Sequence, residues 1–125
     1  MNKERLYDAF GELIYALAMV DGLIQPSEIE ALAKILKGHP WASQIKWSFN
    51  YEVKKGIDIN DIYEKALDTF SQHGADPDYV YLIEILQEVA KASDGIDDKE
   101  QEMIARFQRD LKRNFITEME RRHLV

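Results

Sequence analysis

A chain of 125 residues, 46% hydrophobic and 31% charged, is long enough to bury a full apolar core and sets the expectation of one domain over residues 1–125. It has no cysteine, which excludes a disulfide framework, a thiolate zinc site, an iron–sulfur cluster and a cysteine nucleophile. The net charge of −7 is uneven: residues 1–57 sum to zero, residues 58–102 to −10 and residues 103–125 to +3, so the middle of the chain repels phosphates and suits a cation, a basic partner or a solvated face.

Residues 3–20 have the periodicity of an amphipathic helix, with Leu6, Phe10, Leu13, Ile14 and Leu17 on one face. Gly22 stands where a left-handed C′ residue would end it. Its apolar run, Leu13 to Val20, is the longest in the chain at eight residues, whereas a membrane span needs about 20. The N-terminus has no signal-peptide core, so the expectation is a cytoplasmic protein without a membrane span.

A second helix starts at Pro26, carries Ile29, Leu32, Ala33 and Leu36 on its inward face, and ends at Gly38. Residues 40–56 fit two periods. Ile45, Trp47, Phe49, Tyr51 and Val53 alternate like a strand, but Trp41, Ile45, Phe49 and Val53 also fall at i, i+4 spacing. No other segment offers a partner strand, so helix is the better reading.

Residues 61–73 read as a helix through Ile62, Ala66, Leu67 and Phe70, stopped by Gly74. Asp76 caps the next helix, whose first residue is Pro77; Ile83, Leu86 and Ala90 face inward, and it ends near Gly95. Asp97 to Lys112 forms another helix with Met103, Ile104, Phe107 and Leu111 inward. Thr117 and Glu120 make a capping box for a short last helix. The sum is an all-α fold of about seven helices.

The chain holds two Asp-Gly dipeptides, Asp21-Gly22 and Asp94-Gly95, each between amphipathic helices. A shift of 73 residues superposes Leu6 on Tyr79, Phe10 on Ile83, Leu13 on Leu86 and Leu17 on Ala90. Beyond the bend a shift of 72 superposes Glu28 on Glu100, Leu32 on Ile104 and Ala33 on Ala105. Two helix–turn–helix hairpins, residues 3–37 and 77–112, therefore flank a middle part, and they can pack with pseudo-twofold symmetry.

The recurring acids have a structural and a chemical reading. Glu28 and Glu100 sit near the third helical residue after candidate caps Gln25 and Asp97, where a glutamate reaches back to the cap amide and suits the helix N-terminus. Asp21 and Asp94 are different, because they follow helix C-termini, which disfavour negative charge by roughly 0.3–1 kcal/mol. An Asx-turn, a basic side chain or a bound cation would compensate. Converging carboxylates need neutralising, and an all-oxygen set suits Ca²⁺ or Mg²⁺. His39, His73 and His123 are scattered without ligand spacing, which disfavours zinc. An EF-hand also fails, because its first two ligand positions would be Leu17 and Met19 in one copy and Ala90 and Ala92 in the other.

The stretches ALAMVDGLIQPSE, residues 16–28, and VAKASDGIDDKE, residues 89–100, resemble the doubled signature of the TerB-like family, roughly Ala-Asp-Gly-x-Ile-x-x-x-Glu. The resemblance covers most of the chain. It implies an all-α fold of about seven helices with internal pseudo-twofold symmetry. It also implies an acidic divalent-cation site, which here would be Asp21, Glu28, Asp94 and Glu100. Val20 and Ser93 replace the alanine of the pattern, and Gln25 replaces the usual helix cap. The second copy lacks one residue between Gly95 and Glu100, so Asp97, Asp98 or Glu102 competes for the glutamate's role. Relatives beside J-domains and in stress-response systems imply an interaction role.

The expectation is a small, non-enzymatic, cytoplasmic helical protein that binds a divalent cation and a protein partner, but not nucleic acid. The alternative is a metal-free interaction scaffold whose motif acids are helix caps. Trp41, Trp47, Phe49 and Tyr51 lie within an eleven-residue window and would form a partner patch if several are exposed together.

Overall fold

The computed structural model describes residues 3–20, 22–74, 76–92 and 98–121, with side chains described through Asn114. These residues form six helices and no strand: α1 (Lys3–Ala18), α2 (Pro26–Leu36), α3 (Ala42–Lys55), α4 (Ile59–His73), α5 (Asp78–Ala92) and α6 (Asp98–Arg121). The ambiguous middle segment is thus helical, and the fold is all-α as the periodicity indicates.

α1 is the axis of the molecule. Every side chain from Ala9 to Ala18 is buried, which is why its sequence is apolar over more than one face. It packs on α3 and α4, and also meets α5 and α6, while α2 packs on α5. Phe70 joins four helices: its ring meets Phe10 of α1, Tyr79 of α5 and Phe107 of α6 edge to face, at centroid distances of 5.8, 5.5 and 5.6 Å. Gly11 sets the α1–α3 distance. A Cβ there would fall 2.5 Å from the Ile45 carbonyl oxygen and 2.9 Å from the Phe49 nitrogen.

Gly74 ends α4 where its position indicates, whereas α1 ends at Ala18, short of the stop expected at Gly22. Gly22, at φ +90°, donates its amide to the Met19 carbonyl at 2.9 Å. Gly74, at φ +86°, donates to Phe70 at 3.0 Å. Both backbones favour a residue without a Cβ. Asp76 caps α5, with its Oδ1 accepting from the Asp78 amide at 2.9 Å.

Three details depart from the periodic reading. α6 runs unbroken from Asp98 to Arg121, because no glycine or proline separates Lys112 from Thr117; the separate last helix does not exist. In α2 the buried stripe is Glu28, Leu32 and Leu36, whereas Ile29 is 50% exposed and Ala33 lies outside. In α3 the stripe is Ile45, Ser48, Phe49 and Glu52, and Val53 faces out. An acid has taken a core position in both helices and an aliphatic has been turned to solvent.

Candidate functional site

The site starts from the bend between α1 and α2. Pro26 opens α2 with its ring at a position that needs no amide donor. Two residues later Glu28 turns inward, and its side chain is buried against the fold. Its Oε1 accepts from the Gln25 amide at 2.8 Å, which is the reach-back half of a capping box. The positive end of the α2 dipole adds to this, so the local sequence accounts for a carboxylate at this place.

α6 repeats the arrangement. Glu100 is its third residue, as Glu28 is of α2, and the two are 0% and 2% exposed. Asp98 and Glu102, the described competitors for the glutamate's role, are both exposed. Among the described acids of this stretch only Glu100 is buried. The helices ahead of the bends match less evenly: Leu6 and Tyr79, Leu13 and Leu86, and Leu17 and Ala90 are buried pairs, but Ile83 is only half-buried against a fully buried Phe10.

Asp21, Asp94 and Asp97 lie outside the described residues. Among the described residues no three histidine, aspartate or glutamate side chains form a group able to hold a metal ion. His39 has structural partners: its ring stacks on Tyr81 at 4.6 Å and its Nδ1 accepts from the Trp41 amide at 3.0 Å. His73 pairs with Asp76 at 2.8 Å across the end of α4.

The family model described as tellurite resistance protein TerB matches residues 8–114. The chain belongs to the TerB family. The matched TerB segment holds both bends and all six candidate acids. No curated protein and no solved structure matches the chain. No helix among the described residues of this TerB-family protein is long and apolar enough to cross a membrane.

The aromatic window divides. Trp41 stacks on Tyr7 at 5.0 Å and Phe49 is buried, so these two belong to the packing. Trp47 and Tyr51 are 59% and 42% exposed and stack on each other at 5.4 Å. Beside them lie two buried acids that periodicity did not reveal, Glu12 of α1 and Glu52 of α3. Glu12 pairs with Lys65 at 2.7 Å. Burial pushes the Glu12 carboxyl above the usual range, with the Lys65 ammonium acting in the opposite direction. A signal was present for Glu52, which stands seven residues after Ile45 and three after Phe49, on the same helical face.

Proposed function

We propose that this TerB-family protein is a non-enzymatic cytoplasmic module that binds a divalent cation, Ca²⁺ or Mg²⁺, and uses it to couple its fold to a protein partner. The ligands in this reading are Asp21 and Glu28 from one bend and Asp94 and Glu100 from the other. Asp97 and Asp98 are reserve donors. The supporting observation is the pair of inward glutamates: Glu28 and Glu100 are buried at the third position of two helices, while the neighbouring acids Glu30, Asp98 and Glu102 stay in solvent. In this reading a divalent ion shared between the two bends gathers both inward glutamates and the two aspartates into one set of oxygen donors. All-oxygen donors suit a hard cation.

Calorimetric titration with Ca²⁺, Mg²⁺ and Mn²⁺ tests this reading together with melting temperature. Binding heat and a higher Tm at millimolar ion are expected, both lost in the double variant Asp21→Asn, Asp94→Asn. No heat and no shift in the wild type rejects it.

One observation favours a second reading, in which the protein is a metal-free interaction scaffold. The Gln25 amide already donates to Glu28, so capping by itself gives that acid a role. The exposed Trp47–Tyr51 pair then serves as part of a partner surface. Under this reading the same double variant keeps or gains stability, and no ion alters it.

A further inference from the structure

Away from the two bends, α1, α3 and α4 frame an acidic cleft of about 280 Å³. Three carboxylates line it: Asp8, half-buried, and Glu12 and Glu52, which are 5% and 2% exposed. Asp8 accepts from the Gln44 side-chain amide. Glu12 accepts from Lys65, whose side chain is otherwise 68% exposed. The Glu52 carboxylate oxygen Oε2 is wholly buried and has no hydrogen-bond partner among the described residues. With Arg5 and Lys65 as the cations of the lining, three carboxylates face two positive charges, and the cleft is one positive charge short. An uncompensated buried charge is among the costliest features a fold can carry.

The lining indicates what kind of cation fits. The described acids do not converge into a group able to hold a metal ion. Trp47 and Tyr51 also line the cleft, stacked on each other, and present aromatic surface beside the carboxylates. Aromatic faces attract organic cations and cover their apolar stems. Lys65 is an internal precedent, an aliphatic stem ending in an ammonium on a buried carboxylate of this same cleft.

We propose that this cleft receives an alkylammonium group, with Glu52 as its anchoring carboxylate and the Trp47–Tyr51 pair as the wall for its stem. The group is carried either by a free polyamine or by a lysine side chain of a partner protein. Both present a primary ammonium on a chain of methylenes. The site is separate from the bends and stands whether or not they bind a divalent ion.

The test uses the full chain at constant ionic strength. Trp41→Phe leaves Trp47 as the single tryptophan, so its fluorescence reports the cleft directly. n-Butylammonium, spermidine and a lysine-containing peptide are titrated, with tetramethylammonium and Mg²⁺ as controls. Saturable fluorescence changes are expected for the primary amines. Tm should rise by roughly 4–6 °C at about ten times the dissociation constant. Glu52→Gln, checked for folding by circular dichroism, should abolish the response and raise the basal Tm, because a buried charge is removed. Lys65→Met should tighten amine binding several-fold by freeing a second carboxylate. Tighter binding of spermidine than of the peptide assigns the site to free polyamines, and the reverse order assigns it to a protein partner. Equal responses in wild type and Glu52→Gln, or none in the wild type, overturn the proposal. So does a destabilised Glu52→Gln with no amine response, which would mean that Arg5 or Lys65 satisfies Glu52 from within the chain.

Discussion

Gly11 of α1 lies directly beneath the Ile45 carbonyl of α3, so close that a Cβ on Gly11 would stand 2.5 Å from that oxygen. The neighbouring obstacles are the Phe49 nitrogen and the Ser48 Cβ, which makes this a contact between helix backbones rather than a gap a rotamer can open. Alanine would gain about 1 kcal/mol of helix propensity over glycine. Overpacking costs about 1–3 kcal/mol, and separating the helices also stretches the 2.6 Å bond from Ser48 Oγ to the Asp8 carbonyl. Gly11→Ala is therefore expected to lose about 1–2 kcal/mol net in urea unfolding. A more stable variant would mean that α3 moves away freely.

Phe70 is expected to be the most sensitive core position. Its ring is fully buried and contacts rings from three other helices. Phe70→Ala removes all three edge-to-face contacts and leaves a cavity where α1, α4, α5 and α6 meet. The expected loss is about 3–5 kcal/mol, a large share of the stability of a domain this size. Phe70→Leu should recover more than half of it. The measurement is chemical denaturation followed by far-UV circular dichroism.

Much of the architecture was legible because apolar period and glycine position report the same boundaries. The helix ending at Gly74 and the cap at Asp76 are examples. Residues 40–56 needed an argument from topology, since Trp47, Tyr51 and Val53 satisfy a strand pattern yet all face solvent on α3. Faces were less legible than elements. Periodicity places aliphatics inward and acids outward by default, so it puts Ile29 in the core, whereas the fold buries Glu28 and exposes Ile29. Glu52 and Val53 repeat the exchange on α3. α1 offers no outward face along most of its length, so no amphipathic reading could show that Glu12 is buried. Of the acids read as ligands, Glu28 and Glu100 are buried and Asp98 is exposed.

Asp76 should make the α4–α5 junction sensitive to acid. Burial alone would raise its carboxyl, but the Asp78 amide and His73 outweigh that, and Lys3 adds to them, so the group is held below the usual carboxylate range. A depressed value in the folded state means that the unfolded chain binds the proton more readily. The stability from Asp76 is thus present above the unfolded value of about 3.9 and is lost as pH falls through the folded value. Asp76→Asn should cost about 1 kcal/mol at neutral pH through the weakened cap. Its deficit should vanish in strong acid. A deficit independent of pH would assign the effect to packing instead.

The Glu12–Lys65 pair carries the opposite sign. Glu12 is buried and its carboxyl is raised, by desolvation first, so the folded state holds its proton more tightly than the unfolded chain. Stability from protonating Glu12 is complete below the unfolded value of about 4.3 and is lost as pH rises through the folded value. Lys65 limits that loss by pairing with the carboxylate at 2.7 Å. Lys65→Met removes the pairing while keeping the stem. At pH 7 it leaves Glu12 as a buried charge without its ammonium, and the expected cost is about 1–2 kcal/mol, reduced from the value for a fully buried pair because Lys65 is mostly in water. Lowering the pH toward 5 protonates Glu12 in the variant before the wild type, so the deficit should narrow. Glu12→Gln, alone or combined with Lys65→Met, should remove this pH dependence. Urea unfolding of the four proteins between pH 5 and 7 measures the coupling directly, and a Lys65→Met deficit that is constant over that range would show that the ammonium acts by packing rather than by charge.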